Sequence, residues 1–305
     1  IPKIIGNIAY DITEPFGIFE LSPYIMDFFT RLIGTVAVWH FTSDKFKWLV
    51  EKKFYRVLIA LGVVLCMPQE GCEVLPCNTS VPFLLLIFCF MLFLDMICAD
   101  KPSLPNHPEM AALILIALST LAAPLIAVFE AVGALRWLVW KIRNKDLSIK
   151  EVAIEGSLQL LFAAAVLAQC HVMIISGRSG VQLDLFRRLV YTLQEMPVFP
   201  YVYVLHSFVY MILGLFIWIV MGKLSQIPFR VAAFSFVGCY AYVFYCSFTA
   251  DAQTFFGELM GYAPISRYYM TSIQIAVLFL GTCIFRAIER SANGDIAFKI
   301  AYGIL

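Results

Sequence analysis

The chain has 305 residues, of which 61% are apolar and only 14% charged. Soluble globular domains run near about 45–50% apolar and about 25% charged, so the composition is that of an integral membrane protein. The net charge of +1 leaves no electrostatic footprint for nucleic acid.

A segment that spans hydrocarbon must satisfy its own backbone, which takes roughly 18–22 apolar residues in a helix. The apolar runs here have that length, unlike the short alternating segments of a barrel. Residues 1–48 read as an N-terminal segment, and 49–305 as a helical membrane domain. Within the first, residues 24–41 hold only a short apolar stretch, which predicts an interfacial helix; the alternative is a seventh pass with an outside N-terminus. Six spans follow, at about 49–66, 81–98, 153–175, 201–222, 231–249 and 268–285.

Basic flanks orient them. Lys45, Lys47, Lys52, Lys53 and Arg56 precede or open the first span, and Lys141, Arg143, Lys145 and Lys150 precede the third. Lys223 and Arg230 lie between the fourth and fifth, while Arg286, Arg290 and Lys299 follow the sixth. Placing all four clusters in the cytoplasm closes the scheme, with both chain termini inside and 286–305 as a cytoplasmic tail. Arg178, Arg187 and Arg188 then fall outside, against the rule.

Residues 110–140 fit no simple pass, because one crossing there would put Lys141–Lys150 on the wrong side. The run breaks at Ala122-Ala123-Pro124, and proline inside a helix removes a donor and clashes with the preceding turn. A re-entrant hairpin that returns to the cytoplasm meets both facts; a kinked ordinary span is the alternative. The expected fold is therefore all-α: a polytopic bundle of six full passes, a re-entrant hairpin and an N-terminal interfacial helix.

The loop at 66–80 carries Cys66, Cys72 and Cys77 beside the sequon Asn78-Thr79-Ser80. Clustered cysteines next to a glycosylation acceptor belong to an oxidising lumen or the cell exterior, the side that the basic flanks also assign. Three is odd, so one thiol is left for another loop, a partner membrane protein or no partner. The remaining cysteines, Cys89, Cys98, Cys170, Cys239, Cys246 and Cys283, read as small packing residues.

Known reaction motifs are missing. The four histidines, His40, His107, His171 and His206, are far apart, and no phosphate loop, nucleophile elbow or zinc-protease signature occurs. No enzyme activity, cofactor or metal is expected. Ionisable groups inside spans cost about 2.5–3.5 kcal/mol on insertion scales and are functional candidates by default. Asp95, Glu130 and Glu155 qualify, and Gln159 and Gln169 continue the face of Glu155 along its helix. That stripe must face protein or a water-lined path rather than lipid tails: a packing contact on one reading, a route for headgroups or ions on the other.

The segment Glu155-Gly-Ser-Leu-Gln159, with Gln169 ten residues on, resembles the E-x-x-P-Q helix of XK-related membrane proteins. Leu121-Ala-Ala-Pro124-Leu125 followed by Glu130-Ala131 is similar to that family's L-x-x-P-L…E-A segment, and the order of pieces over residues 81–170 is the same. Leu158 stands where the family has proline. The resemblance implies phospholipid scrambling with membrane lipids as substrate, and puts Glu130, Glu155, Gln159 and Gln169 near a membrane path. The other readings are a non-catalytic subunit of a membrane complex and a channel or receptor-like protein. A plasma-membrane or endomembrane location fits each of them.

Overall fold

A computed structural model describes residues 2–65, 81–119, 123–175, 203–220, 227–249 and 266–290. Among these the regular structure is all helical, with no strand. The helices are α1 (Pro2–Thr13), α2 (Ser22–Trp39), α3 (Lys53–Leu65), α4 (Val81–Cys98) and α5 (His107–Ser119). They continue as α6 (Ala123–Arg143), α7 (Ile149–Ile175), α8 (Tyr203–Val220), α9 (Phe229–Thr249) and α10 (Ser266–Arg290). Cys66, Cys72, Cys77 and Asn78 lie outside the described residues, as do Arg178, Arg187 and Arg188.

Helix α4 is the axis. Apart from Asp95 its sequence is apolar on every side, and a helix without a polar face is stable only when covered all round. From Leu86 to Cys98 every residue except Ile97 is buried, and α2, α5, α6, α9 and α10 pack around it. Glycines set the closest approaches. A Cβ on Gly238 of α9 would stand 2.5 Å from the Phe90 ring of α4, and one on Gly214 of α8 would stand 2.7 Å from Phe279 of α10. Absent side chains let these backbones meet, as small residues do between membrane helices. Beside Gly238, Phe90 stacks on Phe234 with centroids 5.1 Å apart.

The carboxyl end of α4 is where the other helices are tied down. Arg136, two turns before the end of α6, donates to the carbonyls of Met96 and Ala99 at 3.0 and 2.6 Å. Arg230, in the first turn of α9, donates to the Cys98 carbonyl and pairs with Asp100. The last carbonyls of a helix have no partner within it, and cationic donors there also meet the negative end of its dipole. Lys45, Arg230 and Arg286 come from three of the four basic clusters; Lys141, from the fourth, lies just past Arg136 on α6. The structure gathers all four at this one end.

The segment before α3 differs from expectation. The helix begins at Lys53 rather than at residue 49. Leu49 and Val50 are buried in the common core as a non-helical link. Their carbonyls find donors elsewhere: Arg286 binds the Trp48 and Leu49 carbonyls, and the fully buried Arg56 binds those of Val50 and Glu51. Glu289 accepts the free N–H groups of Glu51 and Lys52. The end of α10 thus replaces one missing helical turn.

The broken segment 110–140 is a helical hairpin. Glu109, in the first turn of α5, shares Lys45 with Asp95 near the carboxyl end of α4, and Arg136, near the end of α6, binds carbonyls at that same end. The two helices therefore start and finish at the same end of the bundle. Helix α5 has 13 residues, about 20 Å at 1.5 Å per residue, short of a hydrocarbon core of about 30 Å. Helix α6 runs three residues past the apolar run, through Lys141 to Arg143.

Helix α2 covers the segment expected as an interfacial helix. It has 18 residues and packs on α4 and α3, with Met26, Phe29 and Val38 reaching the common core. Two helices among the described residues are long and apolar enough to cross a membrane, Ile149–Ala168 and Thr271–Arg290. They sit differently: the second is mostly buried inside the bundle, whereas the first turns most of its apolar surface outward.

Candidate functional site

Two polar clusters interrupt this apolar bundle. The first joins the N-terminal segment to the hairpin. Asn106 and Glu109 cap α5 reciprocally: the Glu109 N–H donates to Asn106 Oδ1 at 3.1 Å, and the Asn106 N–H donates to Glu109 Oε2 at 2.8 Å. This is the capping-box arrangement with asparagine as the cap. Lys45 Nζ donates to both Glu109 oxygens at 2.8 and 2.7 Å, and His40 Nε2 lies 2.7 Å from Oε1. Glu109 is fully buried. Burial is the largest influence on its carboxyl and pushes it up, but His40 and Lys45 together outweigh burial and hold it below the ordinary range.

Asp95 belongs to this cluster. It accepts from Trp48 Nε1 at 2.9 Å and from Ser103 Oγ at 3.1 Å, with Lys45 Nζ at 3.5 Å. Every one of its polar contacts lies at the end of α4. The structure therefore places Asp95 apart from the Glu155–Gln159 face: it ties α4 to the link before α3 and to the segment before α5.

The second cluster lies between α6 and α7. Glu155 and Gln159 share a face of α7 as their spacing requires, and Gln159 Nε2 donates to Glu155 Oε1 at 3.0 Å. Glu130 comes toward them from α6, with its carboxyl within hydrogen-bonding reach of the Glu155 carboxyl. Glu130 is 0% exposed and Glu155 5%, while Gln159 is half-buried at the rim. Beyond each other, both Glu130 oxygens and Glu155 Oε2 meet no hydrogen-bonding group among the described residues. Cys89 of α4 lies within electrostatic range of Glu130.

Three of the five residues expected to line a path thus meet or come close: Glu130, Glu155 and Gln159. The side chain of Gln169 lies outside the described residues. Cys89, Cys98, Cys239 and Cys283 are free and buried, as packing residues would be; the side chains of Cys170 and Cys246 are not among those described. No group of His, Cys, Asp and Glu among the described residues has the arrangement of a metal site.

Sequence reasoning missed His40, Lys45 and Glu109 as partners. One signal was available, since Asn106-His-Pro-Glu109 has the spacing of a capping box. Nothing in the spacing could connect Glu109 to Lys45, 64 positions earlier.

Compared with family models, with curated proteins and with solved structures, the chain finds no match in any of the three.

Proposed function

We propose that this chain is an integral membrane protein that moves phospholipids between leaflets along the polar face shared by α6 and α7. The observation that carries the reading is the buried Glu130–Glu155 pair, with Gln159 at its rim, inside helices that otherwise turn apolar surface outward. Leu160 and Leu167 of α7 are 73% and 70% exposed, and Val128, Val132 and Leu135 line one outward face of α6. A water-facing surface does not carry apolar patches of this extent without a partner; lipid tails supply one. Carboxyl and amide groups beneath such a surface lower the penalty for a headgroup that leaves water.

In this reading the end of α4 faces the cytoplasm, where the four basic clusters gather. Six passes then alternate, α3, α4, α7, α8, α9 and α10, and α5–α6 is a re-entrant hairpin. The loop at 66–80 lies outside, with Asn78 glycosylated and Cys66, Cys72 and Cys77 the disulfide candidates. The resemblance to XK-related proteins supports the same assignment, since Glu130, Glu155 and Gln159 are the residues that carry it. The membrane is the plasma membrane or an endomembrane.

The test is a double substitution, Glu155→Leu with Gln159→Leu, in purified chain reconstituted into vesicles. Lipid crossing should fall to the protein-free rate while yield and helix content stay unchanged. Crossing at the parent rate would overturn the assigned face.

A further inference from the structure

Where the link before α3 meets the end of α10, the structure holds a cavity of about 620 Å³ lined by Lys47, Trp48, Glu51, Arg286, Glu289 and Arg290. Small-molecule sites have volumes of about 300–1,000 Å³ and are mostly apolar. This one has the size and the opposite lining, since every residue but Trp48 carries charge.

The charges are not equivalent. Arg286, Glu289 and Arg290 share one face of α10 by their spacing. Glu289 is spent on the backbone, because its two oxygens accept the Glu51 and Lys52 N–H groups. Arg286 is 9% exposed, and its Nη1 donates to the Trp48 and Leu49 carbonyls. A guanidinium is thus fixed in the wall of the cavity before any ligand arrives. Arg290, one turn on, is exposed. Like charges at that spacing repel, so an anion is favoured beside them. Lys47 comes from the other side; it is exposed, and its ammonium takes part in no ion pair or hydrogen bond among the described residues. Three cations converge on one space, opposed by Glu51, an exposed acid at the rim.

Arg286 belongs to one of the four basic clusters gathered at this end of the bundle, the cytoplasmic end in the orientation proposed above. Basic pockets between helices on that side take phosphorylated headgroups. The donors suit phosphate: guanidinium meets its oxygens with paired N–H groups, and an ammonium adds a point charge. Three cations around such a volume match more charge than a single phosphodiester carries.

We infer that this cavity binds a multiply phosphorylated headgroup, the chemistry of an inositol bisphosphate lipid in the cytoplasmic leaflet. The inference rests on the membrane orientation of the chain and not on lipid movement. Lys47 and Arg290 hold the phosphates from the exposed side, Arg286 supplies the fixed charge, and Glu51 weakens the hold.

The experiment measures binding of dioctanoyl phosphatidylinositol bisphosphate to the full chain in detergent, with dioctanoyl phosphatidylcholine and free inositol trisphosphate as comparisons. The bisphosphate should bind and the choline lipid should not. Lys47→Gln should weaken binding about fivefold, and Lys47→Gln with Arg290→Gln about twenty-five-fold, the factor of about 1 kcal/mol for each cation at a membrane surface. Glu51→Gln should tighten it. Lys145→Gln with Lys150→Gln removes the same charge from exposed positions of the α6–α7 connector and should leave binding as in the parent.

Free inositol trisphosphate binding as tightly as the lipid would keep the cavity and assign its ligand to solution. Binding by a chain that moves no lipid would likewise keep the cavity while the function proposed above fails. Equal losses in the two double variants would show attraction to general surface charge and overturn the inference. So would parent-like binding by Lys47→Gln, which removes no contact of the folded chain, or no binding of either phosphorylated probe.

Discussion

Lys45 holds Glu109 by both carboxylate oxygens, at 2.8 and 2.7 Å, across 64 residues of sequence. The pair ties the link before α3 to the first turn of the hairpin, with His40 2.7 Å from one of the same oxygens and the helix cap on the other. Its stability follows pH in a definite direction. The folded-state value of Glu109 is depressed, relative to an unfolded value of about 4.3. Its contribution is therefore complete above that value and is lost as pH falls through the lower folded value. Glu109→Leu leaves Lys45 without its main partner and should cost about 3 kcal/mol, the low end for a broken buried pair because Lys45 keeps some solvent. Melting of the solubilised chain against pH should show a lower midpoint near neutrality and a smaller drop in acid. A variant that melts like the parent would dismiss the tie as ornamental.

The contact of Gly238 with Phe90 makes a separate prediction. Gly238→Val drives a side chain into a ring already within 2.5 Å of the position its Cβ would take. Overpacking of this kind costs about 1–3 kcal/mol, and the same change at the open position Gly156 should cost far less. Comparing the two melting midpoints isolates steric conflict from the general effect of replacing glycine in a helix.

How the fold was legible follows from what kind of pattern each part leaves. Helix α4 was visible because a long apolar run at that length reads as a helix, and the division into α5 and α6 was visible because Pro124 breaks the run that contains it. Glu155 and Gln159 declared themselves by a local period, four residues apart on one helix face. The partners of Asp95 were not legible, because an acid near the end of an apolar helix looks the same whether it lines a path or anchors a tryptophan. The start of α3 was misjudged because Leu49 and Val50 are apolar, yet their carbonyls are satisfied by Arg286 and Arg56 from far along the chain. Long-range hydrogen bonds have no period, so no sequence window contains them.

The hairpin can be tested by sidedness alone. Lys101→Cys lies between α4 and α5, and Asn144→Cys lies just after α6; both positions are exposed. An impermeant thiol reagent should reach both from the same face of sealed membranes, the cytoplasmic one, over the background of the parent chain. Labelling from opposite faces would mean that 110–140 crosses once, and the orientation of every later helix would reverse.

The most direct measurement is dithionite quenching of a headgroup-labelled lipid in vesicles that contain the purified chain and no other protein. The expected result is loss of signal well beyond the outer-leaflet half, with an entrapped soluble dye showing that dithionite stays outside. A plateau at half in vesicles shown to contain folded chain would contradict lipid movement by this protein alone. It would favour a subunit role instead, with the partners of Cys66, Cys72 and Cys77 the next thing to find.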